Sequence, residues 1–276
     1  MKREKRCIAS WQMTYNCNFN CEYCFGHKIG PIKEGLPLLK IIKTLNAVGV
    51  KWRIDMTGGE PFLFPNFIEI CEVLNKNGIK IAVDTNLSNN LKVREFAERI
   101  EPNNVEFLHI SVHIKEREKR NGIGDFIQNL LLLKRKGFVS IVDYVLYPTL
   151  MDRFENDFRY FLSYGIYLKP KPFRGRYNGK SYPDSYSEED KKMILEINPD
   201  SIYSFPFHSR GVICGAGRIM IRIKTDGVVT RCVADQSVLG DIFSGIKLYE
   251  EFKPCEIDIC PCWGGRLTKI IKKEKR

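Results

Sequence analysis

Cys17, Cys21 and Cys24 lie within eight residues, in the run Trp11-Gln-Met-Thr-Tyr-Asn-Cys17-Asn-Phe-Asn-Cys21-Glu-Tyr-Cys24-Phe25. Three thiolates on one tight loop can grip three corners of a cubic iron–sulfur cluster, and no fourth cysteine follows nearby. A four-cysteine set closes such a cluster for electron transfer. A set of three leaves one iron open to bind and activate a small molecule, which is a catalytic arrangement. A second group, Cys214, Cys232, Cys255, Cys260 and Cys262, lies near the other end of the chain. Cys7 and Cys71 stand alone, and Cys71, inside the apolar run Phe67-Ile-Glu-Ile-Cys-Glu-Val-Leu, reads as a small core residue.

These residues need a frame. Strand patterns are expected over Ile8–Thr14, Trp52–Thr57, Lys80–Thr85, Glu106–His113, Val139–Tyr147 and Ile166–Lys171. Amphipathic helix patterns alternate with them over Leu38–Val48, Pro65–Asn77, Leu91–Arg99, Gly124–Lys136 and Asp152–Tyr164. Gly49, Gly78, Gly137 and Gly165 fall where helix C-caps belong. Strand and helix in alternation imply a parallel sheet with crossover helices, whose ligand site lies at the carboxyl ends of the strands. The unusual residues obey that rule: Cys17–Cys24 follow the first strand and Gly58-Gly59-Glu60-Pro61 the second. Asp84-Thr85-Asn86 ends the third, Ser111-Val-His113 the fourth and Lys169-Pro-Lys171-Pro-Phe-Arg174 the sixth. All fall at one rim.

Residues 174–211 read as a connector, with one polar helix near Ser187–Ile197. Cys214 to Cys232 reads as a hairpin turning at Thr225-Asp-Gly227, with a short helix expected near Ile246–Phe252. The chain of 276 residues carries a net charge of +11, much of it in Lys2–Arg6, Lys115–Arg120 and Lys269–Arg276, which read as solvated runs. The charge by itself therefore does not make this a nucleic-acid protein, and nucleic acid is not an expected partner. No run of apolar residues is long enough to span a membrane, and no signal-peptide core follows Met1–Arg6, so the cytoplasm is the expected compartment. In that reducing setting clustered cysteines point to metal or cluster binding rather than disulfides.

The CxxxCxxC loop with Tyr23 before its last cysteine, followed by Gly58-Gly59-Glu60-Pro61 after the second strand, resembles the radical S-adenosylmethionine (SAM) superfamily. The resemblance implies a partial (β/α)6 TIM-type barrel over residues 7–173 and a [4Fe-4S] cluster on Cys17, Cys21 and Cys24, its open iron chelated by SAM. It further implies that Gly58 and Gly59 permit close backbone approach and that Glu60 accepts from the SAM ammonium. Tyr23 would lie near the adenine, and Asn86, Ser111 and His113 near the ribose and carboxylate. Many relatives carry an acidic residue where His113 stands. Cys214, twelve residues, Gly227, four residues and Cys232 resembles the opening of the SPASM/twitch extension. That likeness implies a small β-hairpin iron–sulfur domain over 212–264, with one auxiliary [4Fe-4S] cluster on Cys214, Cys232 and some of Cys255, Cys260 and Cys262, before a basic tail at 265–276. Relatives more often end in CxxC than in Cys255-x4-Cys260-x-Cys262, and a structural zinc knot is the competing reading of this group.

The activity so implied is reductive cleavage of SAM to a 5′-deoxyadenosyl radical that abstracts a substrate hydrogen, with electrons from a reductant such as flavodoxin or ferredoxin. A peptide or protein is the leading substrate, although the short stretch before Cys7 weighs against a peptide-recognition domain there. Dehydrogenation of a sugar or aminocyclitol alcohol is the alternative, and RNA modification a further one. Lys169, Lys171, Arg174 and Arg176 form either a solvated linker or a rim for an anionic substrate.

Overall fold

The computed structural model describes residues 6–24 and 35–260. Its first half alternates as the sequence requires: β1 (Cys7–Thr14), α1 (Leu38–Ala47), β2 (Trp52–Gly58), α2 (Phe67–Lys76), β3 (Lys80–Thr85) and α3 (Asn90–Arg99). Then come β4 (Val105–Ser111), the short α4 (Ile114–Glu118), α5 (Ile123–Lys136), β5 (Ser140–Leu146), α6 (Phe154–Leu162) and β6 (Leu168–Pro172). The six strands run parallel in the order β1 to β6. Gly137 closes α5 at φ 91, the left-handed conformation that a glycine C-cap adopts without steric cost.

The strands alternate in side-chain character, which is unusual for a parallel sheet buried on both faces. One face presents Ile54, Met56, Ile81, Val83, Leu108, Ile110, Val142 and Leu146, all buried in one core with the helices. The aromatic cluster of Phe62, Phe67 and Phe96 is part of that core, and Cys71 is fully buried in it. The opposite, inner face carries polar residues: Ser10 and Gln12 on β1, Arg53 and Asp55 on β2, Asp84 on β3, His109 on β4, Asp143 on β5 and Lys171 on β6. A polar inner wall is what an enclosed, solvated site needs.

The second half contains β7 (Gly175–Tyr177), β8 (Lys180–Tyr182), α7 (Glu188–Ile197), β9 (Ile213–Cys214), β10 (Met220–Ile223), β11 (Val228–Thr230), β12 (Val238–Asp241), β13 (Gly245–Ile246) and β14 (Lys253–Pro254). Ser187 caps α7 in a capping box with Asp190. The expected hairpin is present, with Ile223 opposite Val229. Two features differ from the sequence reading. The hairpin does not stand apart: β10 lies parallel to β1, so that one ten-stranded sheet runs β13-β12-β11-β10-β1 and on to β6. The helix expected near Ile246–Phe252 is absent, because Ile246 pairs as a strand opposite Gly240 and the chain then crosses back to put Tyr249 against Gly217. No described helix is long and apolar enough to cross a membrane.

Candidate active site

The cysteine loop is rooted by main chain. Gly59 N donates to Thr14 O and Glu60 N to Asn16 O, each at 2.8 Å, so the Gly-Gly-Glu segment continues the β1–β2 pairing into the loop. A Cβ on Gly58 would stand 2.4 Å from Thr14 O, and one on Gly59 only 2.0 Å from Asn16 O. Main-chain atoms cannot rotate aside, so both positions require glycine. The close approach expected of these glycines is made to the root of the cysteine loop.

Glu60 is fully buried, and three protein donors reach its carboxylate: Phe62 N at 3.0 Å, Thr85 Oγ1 at 2.7 Å and Asn86 N at 2.6 Å. Burial pushes its carboxyl up to about 7, against the pull of those hydrogen bonds. Glu60 therefore ties the end of β2 to the end of β3. Asn86, held in this way, points its amide at Asn18 Oδ1 (3.2 Å) and Cys17 Sγ (3.6 Å). Thr85, the link in this chain, had no role in the sequence reading.

Within the loop, Phe19 N donates to Cys17 Sγ at 3.4 Å and Cys24 N to Cys21 O at 3.2 Å. Cys21 is buried and Cys24 exposed. Burial raises the Cys17 thiol. The run Lys115–Arg120, expected to be solvated, is solvated only in part. Glu116 and Arg117 are 3% and 2% exposed and brace the loop from α4. Glu116 accepts from Asn20 N at 2.8 Å, with Lys119 and Arg120 each at 2.7 Å on the same carboxylate. Arg117 donates to Val112 O and to Asn86 O, and lies 3.7 Å over the Phe126 ring. The only signal in sequence is that Glu116 and Arg117 fall one helical turn from apolar neighbours.

His113 adopts a left-handed conformation (φ 48) that turns its ring back to the loop, with Nδ1 3.3 Å from Cys21 Sγ and 3.0 Å from Tyr23 Oη. It stacks on Tyr23 at 5.8 Å. Burial lowers His113 to about 3, so the ring is neutral. Ser111 lies on the inner face in register with Asp143. The sequence-expected residues Cys17, Cys21, Tyr23, Cys24, Gly58, Gly59, Glu60, Asn86 and His113 thus come together at one end of the sheet.

The second group is gathered differently. Cys214 lies on β9, paired with Lys253 of β14, while Cys232 follows β11, so neither cysteine stands within the hairpin's paired strands. Cys214, Cys232 and Cys260 are each 8% exposed, and Cys255 packs beside the first two. Cys214 feels the charge of Cys255 and Cys260, and Cys232 that of Cys260, so the four converge. Buried Arg231 binds them into one unit: it pairs with Asp235 at 2.9 Å and donates to Ala216 O, Lys253 O and Pro254 O. Cys262 lies outside the described residues.

Do these thiols suit an iron–sulfur group? Backbone N–H groups point at sulfur in both places: Phe19 N at Cys17, Ala216 N at Cys214 (3.5 Å) and Asp235 N at Cys232 (3.2 Å). Such donors favour the thiolate, the ligating form. Among the described residues no three of His, Cys, Asp or Glu form a single-ion site; a cubane, in which each thiolate binds a different iron, asks for wider spacing.

Residues 11–161 match the model of the Radical SAM superfamily, and the chain belongs to that family. It is 28% identical over 153 residues to GTP 3′,8-cyclase of Synechocystis sp., covering 51% of this chain and 46% of that protein. It is also 28% identical over 109 residues to AdoMet-dependent heme synthase of Methanosarcina barkeri, covering 38% of this chain and 30% of that protein. The matched stretches thus span less than half of either relative. In fold it is similar to native anSMEcpe with bound AdoMet (TM-score 0.61, 17% identity, 87% of this chain and 78% of that one). A similar likeness holds for Streptococcus suis SuiB bound to precursor peptide SuiA (TM-score 0.61, 12% identity, 88% of this chain and 63% of that one).

Proposed function

We propose that the chain modifies a peptide or protein by hydrogen abstraction, with a [4Fe-4S] cluster on Cys17, Cys21 and Cys24 and an auxiliary [4Fe-4S] cluster on Cys214, Cys232, Cys255 and Cys260. When bound, the first cluster and SAM supply a 5′-deoxyadenosyl radical after one-electron reduction. The observation that supports this reading is the joint docking of the cysteine loop and the Gly-Gly-Glu segment at the mouth of a polar-walled sheet. The chain's own part is positioning. Gly58 and Gly59 bring Thr14–Asn16 against β2, Glu60 and Asn86 set the β3 end beside Cys17, and Glu116 and Arg117 hold the loop from behind. Tyr23, Ser111 and His113 face the region where SAM would lie. In this reading residues 212–264 form the auxiliary-cluster unit and 174–211 its connector.

The peptide reading draws support from the fold shared with Streptococcus suis SuiB bound to precursor peptide SuiA. The alternative, dehydrogenation of a sugar or aminocyclitol alcohol, is favoured by the polar inner wall. Anaerobic reconstitution tests the core of the proposal: about eight irons per chain, two cubanes, are expected. Dithionite and SAM should then yield 5′-deoxyadenosine, and Ala at Cys17, Cys21 and Cys24 should abolish it. Persistent cleavage in that triple variant would sink the assignment.

A further inference from the structure

The inner wall contains two groups that the preceding reading leaves without work. Arg222, on β10, points its guanidinium at Ser10 Oγ (2.8 Å) and Gln12 Oε1 of the neighbouring β1. Both partners are neutral, and among the described residues no carboxylate forms an ion pair with it. Burial lowers its pKa, yet a guanidinium stays charged under any ordinary condition. A partly buried cation without an anion carries a desolvation cost, and a bound anionic group would relieve it. Two other wall cations differ: Arg53 is held by Asp55 at 2.6 and 2.8 Å, and Lys171 by Asp143 at 3.1 Å.

The second group is Asp84. His109 stands between two carboxylates, its Nε2 2.7 Å from Asp143 and its Nδ1 3.2 Å from Asp84. Asp143 is nearly closed to solvent (7% of its side chain), whereas Asp84 keeps 47% open on the same wall. Asp84 is thus the open end of a Lys171–Asp143–His109–Asp84 ladder. Despite desolvation, the hydrogen bond from His109 holds its carboxyl below the usual range, so it is ionised. Arg222 and Asp84 are near enough to feel each other's charge. They make no ion pair.

We propose that Arg222 and Asp84 are the two poles of a substrate subsite on the inner wall, taking a dipolar, amino-acid-like group. Arg222 binds its carboxylate or another compact anion, and Asp84 binds its ammonium. The proposal rests on the reading of the chain as a SAM-cleaving hydrogen abstractor, whether the substrate is a peptide or a small molecule, and adds the charges that the bound group carries. It gives a strand beyond the six-stranded core, β10, a direct part in substrate choice.

Four small deuterated probes share a hydroxylated C–D group and differ chiefly in charge: L-serine-d3 (dipolar), ethanolamine-d4 (cation), glycolate-d2 (anion) and ethylene glycol-d4 (neutral). Each is offered to the reconstituted enzyme with SAM and dithionite, and the deuterated fraction of the 5′-deoxyadenosine formed is read by mass spectrometry. In that transfer the probe's C–D bond breaks homolytically and a C5′–D bond forms; dithionite reduces the carbon radical left behind. Being a ratio, the fraction does not depend on total turnover. Serine should label about ten-fold better than glycol, the worth of one charge-assisted hydrogen bond. Arg222→Gln should drop serine to the level of ethanolamine, and Asp84→Asn to the level of glycolate. Equal labelling by serine and glycol, or an order that survives both substitutions, overturns the proposal. A turnover-free measurement accompanies it, following the ¹⁵N signals of the Arg222 guanidinium and the His109 ring in the reconstituted protein. Serine should shift both and glycol neither. Unmoved signals overturn the subsite, whereas shifted signals in a preparation that makes no 5′-deoxyadenosine support it and instead defeat the hydrogen-abstraction reading.

Discussion

In the first cysteine group all three thiols come from one loop, and the loop is fastened by backbone: Gly59 N to Thr14 O and Glu60 N to Asn16 O. In the second, four thiols arrive from separate segments between residues 214 and 260, and a single buried side chain, Arg231, bonds three of those segments together. Both groups bring thiols together, but by opposite means. A backbone-fastened loop depends on the absence of side chains at its contact. A side-chain-fastened cradle depends on one guanidinium and its anion. Damage to the two should therefore separate cleanly.

The largest effect is expected at Gly59. Its replacement by Ala drives Cβ into Asn16 O, and no rotamer relieves a contact with main chain. Overpacking of this kind costs roughly 3 kcal/mol or more, on the order of a hundred-fold in occupancy of the correct loop geometry. On the proposed two-cluster reading, Gly59→Ala should lose the iron of the first group and nearly all 5′-deoxyadenosine formation, while the auxiliary iron proposed for the second group stays. Iron and sulfide counts on the purified variant decide it; full cleavage activity would refute the backbone account.

Arg231→Met tests the other side. It leaves Asp235 buried without its cation and strips donors from Ala216 O, Lys253 O and Pro254 O. Breaking a buried pair from one end costs about 3–5 kcal/mol. Iron of the second group should fall while the first group's remains, and the thermal midpoint should drop. Adding Asp235→Asn should restore part of the loss, because the stranded charge goes with it. A variant that loses both groups' iron equally would show the two sites to be one cooperative unit.

How much of this contrast was legible beforehand follows from its physical basis. Local patterns were readable: the six strands, the caps, the Cys17–Cys24 loop and Gly58-Gly59-Glu60 each carry their signal within a few residues. The role of the glycines was readable in kind but not in object, since Thr14–Asn16 become their neighbours only through strand pairing. Glu116 and Arg117 were hidden inside a basic run whose average character is solvated. Arg222 and Arg231 had no signal at all. Their meaning depends on β10 pairing with β1 and on β9 pairing with β14, contacts between residues some two hundred or forty positions apart. A sequence read in windows does not bring such partners together.

A measurement that touches neither cysteine group supplies the baseline. Burial opposes charge on His109, but hydrogen bonds to Asp143 and Asp84 outweigh it and lift its pKa to about 9. Folded His109 therefore keeps a proton that the unfolded chain releases above about 6.5. The stabilisation is complete below that value and is lost as pH rises toward about 9, with a magnitude on the order of 3 kcal/mol. His109→Asn should flatten the fall in urea midpoint between about pH 6 and about pH 9.5, with the iron content of both groups unchanged. An undiminished slope would place the titrating group elsewhere.

The smallest effect belongs to Tyr23→Phe, and it tests the backbone account of the first group most sharply. The hydroxyl lies 3.0 Å from His113 Nδ1, and because burial keeps that ring neutral the pair is a neutral hydrogen bond, worth about 1 kcal/mol. The ring itself stays, still stacked on His113 and still against Tyr147 at 5.5 Å. The midpoint of thermal unfolding should fall by roughly 2–4 °C, with iron in the first group and 5′-deoxyadenosine formation within a few-fold of the parent. Side-chain contacts around the loop are secondary if the main chain of Thr14–Asn16 and Gly59–Glu60 sets its position. If Tyr23→Phe instead strips iron as thoroughly as Gly59→Ala, the loop is held by its side chains after all, and the two cysteine groups are fastened in the same way.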